Sequence, residues 1–511
     1  MTGWTRRGLL GGSAALATVS FLPTIPARTA SPPNPLFTLG IASGDPWPDS
    51  VVLWTRLARD PLHGGGMGNA SIPVNWEIAA DENFRQIVRS GTAIAVADYA
   101  HSVHVEVGGL QPHRWYWYRF NALGVESAVG RTRTAPVLDA DLDRMRIAFA
   151  SCQHYERGYY SAYRHMAEDE IDLMLHLGDY IYEGKAKDDR PRRHNSAEVE
   201  TLAEYRSRYA LYKLDPDLQA AHAAFPWAAV PDDHEVENDY AAHIDQTGGQ
   251  PAKAFLARRA AAYQAYYEHL PFRSAARPIG PDMLLHRTLR FGRLAAINLL
   301  DTRQHRSDQP CWATWSPPCA EMRDPAATML GAAQERWLYD AVERSPARWN
   351  VLAQQVPIFQ RTRIKGGQTM LHMDKWDGYP TARQRLFDAV QRSAQGSMIV
   401  LSGDVHGNWA GDLRADFGDP TSTALGAEFV GTSISSNGDG WDSKKKFRRI
   451  VDGNPHIAFY NGQCGYTRCD ITRERWRTDF RVLPYVSRPG APISTRASFV
   501  VERGSNRLSA A

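Results

Sequence analysis

Residues Arg146–Glu183 read RIAFASCQHYERGYYSAYRHMAEDEIDLMLHLGDYIYE, and this stretch decides the fold. Ile147–Ala150 is a short apolar run that ends in Ser151-Cys152-Gln153. Tyr159–Glu170 has helical spacing, and Ile171–Leu177 is a second apolar run ending in Gly178-Asp179-Tyr180-Ile181-Tyr182-Glu183. Strand, helix, strand predicts a parallel pair with a right-handed crossover. In open α/β sheets the working site lies beyond the carboxyl ends of the strands. Cys152 and Asp179 are therefore expected to converge at one sheet edge.

Outward from that unit, 511 residues allow two or three domains with ample core. A net charge of +3, with 59 basic against 56 acidic residues, calls for neither a nucleic-acid-binding domain nor an anionic membrane. A small anionic substrate needs only local charge.

The N-terminus reads as a targeting segment. Thr5-Arg6-Arg7-Gly8-Leu9-Leu10 is a twin-arginine pattern, followed by an apolar run from Leu9 to Leu22 that is too short and too weakly apolar for a mature membrane helix. Residues 1–30 are thus expected to be a signal for the bacterial twin-arginine export machinery, with the mature protein periplasmic or extracellular and without a membrane span. The five cysteines include two local pairs, Cys311 with Cys319 (CWATWSPPC) and Cys464 with Cys469 (CGYTRC), both expected to be disulfides in an oxidising compartment. Cys152 is left over, at a strand end.

Residues 31–138 have the short alternating runs of a β-sandwich: Ser50–Leu57, Val74–Ala80, Ser102–Leu110 and Trp115–Ala122. From about residue 145 to 490 the pattern is α/β. Helical segments are expected at Ala197–Tyr212 and Ala252–His269, and strands at Trp227–Val230, Arg293–Leu300, Trp349–Val356, Met398–Leu401 and Glu428–Gly431. Residues 491–511 read as a tail without a strongly amphipathic helix. The fold class is α/β, or α+β overall: an N-terminal β-sandwich followed by an α/β sandwich domain.

Four polar clusters fall at strand ends: Cys152; Asp179 with Tyr182; Asp233 with His234; Asp404 with His406. A lone Asp or His there is ordinarily a turn or cap residue, but four clusters in one α/β region point to a metal site. Thiolate, phenolate and imidazole from Cys152, Tyr182 and His406 suit a transition metal. Asp233 and Asp404 offer only oxygen, which suits a hard cation. Asp179, at the central strand end, can bridge the two. This is the layout of a two-metal hydrolase, with ions roughly 3.5–4 Å apart.

The motifs SCQ, GDYIY, DDHEVENDY, GDVHGNW and RRAAAYQAYYEHLP, with FTLGIASGDPWPDSVVLWTRL near the start, resemble the PhoD-type alkaline phosphatases over nearly the whole mature chain. The resemblance implies a metallophosphoesterase-type catalytic domain and an exported enzyme that hydrolyses phosphate esters by in-line attack of hydroxide at an iron and calcium site. It implies Fe³⁺ on Cys152, Asp179, Tyr182 and His406, and Ca²⁺ on Asp179, Asp233 and Asp404. Asn238 should contact phosphate, as should Arg258 or Arg259, of which only one is expected to face the site because adjacent helical residues point about 100° apart. His234 should stand near the leaving-group oxygen as general acid, or else order the groups around the metals. Relative to metallophosphoesterases generally, Asp232-Asp233-His234-Glu235 and Gly403-Asp404-Val405-His406 each place a carboxylate where a neutral ligand is usual, which favours calcium-like chemistry at the second metal. The rival readings are a phospholipase D-like phosphodiesterase on the same metals, and a secreted binding protein with structural metals.

Overall fold

The strands Arg144–Ala150 and Leu173–Leu177 run parallel, Ile147 opposite Leu173 and Ala150 opposite His176, and the helix Ser161–Glu168 connects them. The helix is shorter than its apolar spacing suggests. Residues Tyr155–Arg157 form a 3-10 turn and Gly158 is extended, so the chain turns into the helix only after them, and Asp169 leaves it in an extended conformation. The structure, a computed structural model, describes residues 35–393 and 398–511. The export segment expected at 1–30 lies outside the described residues.

This parallel pair is the middle of a ten-stranded mixed sheet. On one side Trp227–Val230 continues it in parallel, followed by Ile41–Gly44, Val51–Arg56 and Ser102–Val107. On the other side Gly465–Thr472, Arg475–Val482, Ser494–Glu502 and Leu508–Ala510 extend it antiparallel. Residues 491–511, read from sequence as a tail, therefore supply two sheet strands. A second, seven-stranded sheet is ordered Arg287–Phe291, Ala295–Leu299, Trp349–Ala353, Met398–Ser402, Ala424–Val430, Asn408–Arg414, Ile457–Asn461.

The two sheets face each other. Ile147, Phe149, Leu175 and Val230 of the first pack with Ile297, Val351, Ile399 and Phe429 of the second in one buried cluster. Strands with both faces buried read as continuous apolar runs, which is why LMLHL and MIVLS were visible in the sequence. Helices cover the outer faces: Tyr163, Tyr209, Leu218 and Tyr263 lie over the first sheet, and Leu338, Leu386 and Val390 over the second. This is an α/β sandwich. The helix Leu202–Lys213 begins five residues later than expected from Ala197, because Thr201 caps it and pairs reciprocally with Glu204.

The N-terminal sandwich shares a sheet with the rest of the chain. Val51, Leu53, Val103 and Val105 of the ten-stranded sheet pack against Val74, Ile78, Tyr118 and Phe120 of a five-stranded sheet built on Ile72–Ala79 and Trp115–Ala122. Among the described residues no helix is long and apolar enough to cross a membrane.

One disulfide expectation is corrected. Cys311 and Cys319 are bonded, with Cα atoms 5.9 Å apart, but Cys464 and Cys469 are free and buried. CGYTRC is a strand and not a loop. Cys469 lies within Gly465–Thr472 and Cys464 immediately before it. Five residues of strand span about 16 Å, far beyond the roughly 4.4–6.8 Å a disulfide tolerates. An odd separation also puts the two side chains on opposite faces, and they belong to different buried clusters.

Candidate active site

The carboxyl ends of Arg144–Ala150, Leu173–Leu177, Trp227–Val230 and Met398–Ser402 are where the expected site residues sit. Both Gly-Asp pairs have a steric reason. A Cβ on Gly178, at φ 103°, would stand 2.4 Å from the Asp232 Cβ, and one on Gly403 would stand 2.4 Å from the Ser151 hydroxyl oxygen. Only glycine lets these strand ends approach so closely. The residues that follow are strained: Cys152, Asp179, Asp404 and His406 all have φ between 52° and 65°. Left-handed backbone at a non-glycine residue costs on the order of 1 kcal/mol, and its clustering at one edge marks a functional site.

Ligand atoms of Cys152, Asp179 and His406 lie within 4.8 Å of one another. The Tyr182 hydroxyl joins them, 2.7 Å from Asp179 Oδ2 and 3.2 Å from His406 Nε2, with Ser436 Oγ donating to it at 2.8 Å. The phenol has one proton to give, yet it stands against both a carboxylate and an imidazole. Asp179 Oδ1 is buried without a partner. Burial, reinforced by the Asp179 charge, pushes the Cys152 thiol well above its usual range. Burial likewise drives the Asp179 carboxyl well up, with Asp233, Asp232 and Glu235 adding to it against the opposing His234. A cation bound among these donors would reverse both shifts. The thiol, phenol, imidazole and carboxylate therefore fit a transition metal as a donor set.

A second group joins Asp179 to Asp233 and His234, and a third joins Asp233 to Asp239 and Asp374. The third is all carboxylate, the chemistry of a hard cation. Asp404, expected beside Asp233, is in none of these groups. Its Oδ2 lies 2.5 Å from Lys375 Nζ, which also reaches Asp374 Oδ2 at 3.0 Å. Asp239 and Asp374 were not singled out from the sequence. Asp239 stands inside the quoted DDHEVENDY, six residues after Asp233, and could have been found; Asp374, in HMDKW, carries no comparable signal.

Buried ion pairs hold this acidic floor. Arg303 donates to Asp232 Oδ1 at 2.6 Å and to both Asp374 oxygens at 2.9 and 3.0 Å, and lies 3.5 Å from Asp233 Oδ2. Glu235 accepts from the backbone N–H of Asp179, Tyr180 and Asp232, so one carboxylate fixes the ends of two neighbouring strands. Burial works to raise the Asp233 carboxyl, but Arg303 and His234 outweigh it and hold the group ionised.

His234 stacks near the Tyr182 ring, centroids 4.1 Å apart, and its Nδ1 is 2.7 Å from Glu183 Oε2. Burial alone would discharge the imidazole, but Glu183 and Asp179 win and hold it protonated. The other Glu183 oxygen accepts the Asn238 backbone N–H at 2.9 Å, so Glu183 orients both residues. Arg258 and Arg259, one of which is expected at the phosphate, are both tied to protein partners. Arg258 binds Tyr205, Glu237, Glu198 and the Val199 carbonyl. Arg259 binds Asp282 and the carbonyls of Pro281 and Ala242. Both face protein because their helix is packed along two sides, which the 100° separation does not reveal.

A model of the PhoD-like phosphatase family matches residues 147–480, and a model of that family's N-terminal domain matches residues 23–136. Alkaline phosphatase D of Bacillus subtilis (strain 168) is 51% identical over 477 residues, which cover 92% of this chain and 82% of that protein. A solved structure of PhoD matches with a TM-score of 0.91 at 50% identity, over 94% of this chain and 93% of that one.

Proposed function

The chain belongs to the PhoD-like phosphatase family and is a phosphoric ester hydrolase, and on that premise we propose how its residues divide the work. Cys152, Asp179, Tyr182 and His406 would hold Fe³⁺. Asp179, Asp233 and Asp404 would hold Ca²⁺, with Asp239 and Asp374 extending the oxygen donors. The observation that carries this reading is the convergence of Cys152, Asp179 and His406 donors with the Tyr182 hydroxyl around a buried, unpartnered Asp179 oxygen. Bound there, such ions supply Lewis acidity and positive charge to an anionic ester.

The chain's own groups do the rest. His234, kept protonated by Glu183 through Nδ1, has Nε2 left to give a proton to the leaving-group oxygen. Asn238, placed by the same Glu183, hydrogen-bonds the phosphate. Arg258 braces Glu237, next to Asn238, and so acts on phosphate through its neighbour rather than by contact; Arg259 anchors the following loop at Asp282. The substrate is a small phosphate ester. The twin-arginine pattern at Arg6-Arg7 supports export of the mature protein through that machinery to the periplasm or beyond.

The test is hydrolysis of p-nitrophenyl phosphate by the wild type and by Asp179→Asn, with iron and calcium counted per chain. Turnover that survives both Asp179→Asn and chelation would overturn the two-ion reading.

A further inference from the structure

The CWATWSPPC loop supplies none of the groups assigned to the metals or the phosphate, yet it reaches the site. Its bonded ends Cys311 and Cys319 close a loop whose Trp315–Ser316 pairs antiparallel with Gln368–His372, Trp315 opposite His372. That strand pairs in turn with Arg363–Lys365, and it runs directly into Asp374 and Lys375. A small disulfide-closed sheet thus has its root in the acidic floor of the site.

At its base stands Arg361. Its guanidinium carbon lies 5.2 Å from the Trp315 ring centroid and 5.3 Å from that of Trp409, three residues after His406. Arg363 stacks on Trp315 as well, at 3.9 Å. Three other arginines of this part of the site are held by carboxylates: Arg303 by Asp232 and Asp374, Arg306 by Asp374, and Arg383 by Asp377. The half-buried Arg361 has no side-chain hydrogen bond or ion pair among the described residues. Asp377, which accepts the Arg361 backbone N–H at 2.9 Å, gives its other oxygen to Arg383. The Trp409 indole N–H is also buried without an acceptor. Asp377, and after it Asp404, favour the Arg361 charge against burial and the neighbouring Arg363. Burial lowers its pKa to about 10, so it keeps its charge at moderately alkaline pH.

We propose that Arg361, walled by Trp315 and Trp409, is the leaving-group subsite of this phosphatase and receives an anionic group carried on a flat organic leaving group. The inference rests on the phosphatase reading and deepens it. A planar cation stacked between indoles and short of partners is prepared for a carboxylate or a second phosphate, while the indole faces take the ring.

The test compares kcat/KM for 4-carboxyphenyl phosphate and phenyl phosphate in the wild type, Arg361→Gln and Arg361→Lys. The wild type should prefer the carboxylated ester, and Arg361→Gln should lower that ratio about tenfold or more, chiefly through KM. Arg361→Lys should restore part of it. An unchanged ratio in a folded Arg361→Gln overturns the subsite while leaving the phosphatase reading intact. Should Arg361→Gln not fold, Trp315→Ala reads the same ratio, and no fall there overturns the subsite equally. A wild type that hydrolyses neither ester overturns the phosphatase reading, and the subsite with it.

Discussion

The Tyr182 hydroxyl donates to Asp179 Oδ2 across 2.7 Å, joining the second and the last residue of GDYIY into one donor pair. Phenolate, thiolate and carboxylate together offer three negative charges to one ion. That favours a ferric over a ferrous ion, because the extra positive charge is compensated. The concentrated enzyme should therefore be visibly coloured by phenolate- or thiolate-to-iron charge transfer. Tyr182→Phe should shift or bleach the band and lower activity at least tenfold, read by absorbance and phosphate release. A colourless, active enzyme containing zinc and no iron would contradict the assignment.

The carboxylates of Asp233, Asp239 and Asp374 lie within reach of one cation. EGTA should abolish activity, and Ca²⁺ rather than Zn²⁺ should restore it. Burial, helped by Asp374 and Asp233, pushes the Asp239 carboxyl up to about 7. Without metal this group binds a proton near neutrality, so the Ca²⁺ concentration needed for half-activity should rise as pH falls below about 7. Asp239→Asn should flatten that dependence. A titration at three pH values with each protein decides it.

Arg303 is buried and faces Asp232, Asp233 and Asp374. Removing one partner of a buried ionic network leaves uncompensated charge and costs about 3–5 kcal/mol. Arg303→Met should lower the denaturation midpoint by several degrees in metal-free protein, and less with Ca²⁺ present, since a cation replaces part of the lost charge. Equal losses with and without Ca²⁺ would argue against a cation at this floor.

What was legible in the sequence, and what was not, follows from the range of the interactions. Cys152, Asp179, Asp233 and His406 each end an apolar run, and a parallel sheet brings such ends together whatever lies between them. The partners that hold them there were not legible. Arg303 and Asp374 are separated by 71 residues, and neither stands in a periodic pattern. Arg258 and Arg259 showed as cations on a helix, but Glu198, Glu237 and Asp282, which occupy them, come from other segments. Cys464 and Cys469 misled because they stand close in sequence in a chain expected to reach an oxidising compartment, and closeness in sequence does not tell a loop from a strand. In the structure Gly465, at φ 158°, lets the Arg481 carbonyl come within 1.9 Å of where its Cβ would be.

Lys213 is a buried lysine at the end of the helix Leu202–Lys213, and its Nζ has no hydrogen-bond partner. It sits 4.1 Å over the Trp54 ring, which ties the N-terminal sandwich to the helix layer. Burial lowers its pKa well below the ordinary value of a lysine, because this site favours the neutral amine. The unfolded chain then binds one more proton than the native state between the depressed pKa and about 10.4, so stability rises with pH across that window. The contribution is fully present only above the unfolded pKa and is lost as pH falls toward the folded one. Lys213→Met keeps the length and the packing on Trp54 and removes the penalty. It should raise the denaturation midpoint at pH 7 by roughly 2–4 °C, and the gain should shrink steadily between pH 8 and pH 10. Midpoints of both proteins measured at half-unit intervals test this. A gain independent of pH would mean that the methionine packs better, and that the buried amine carries no penalty at neutral pH.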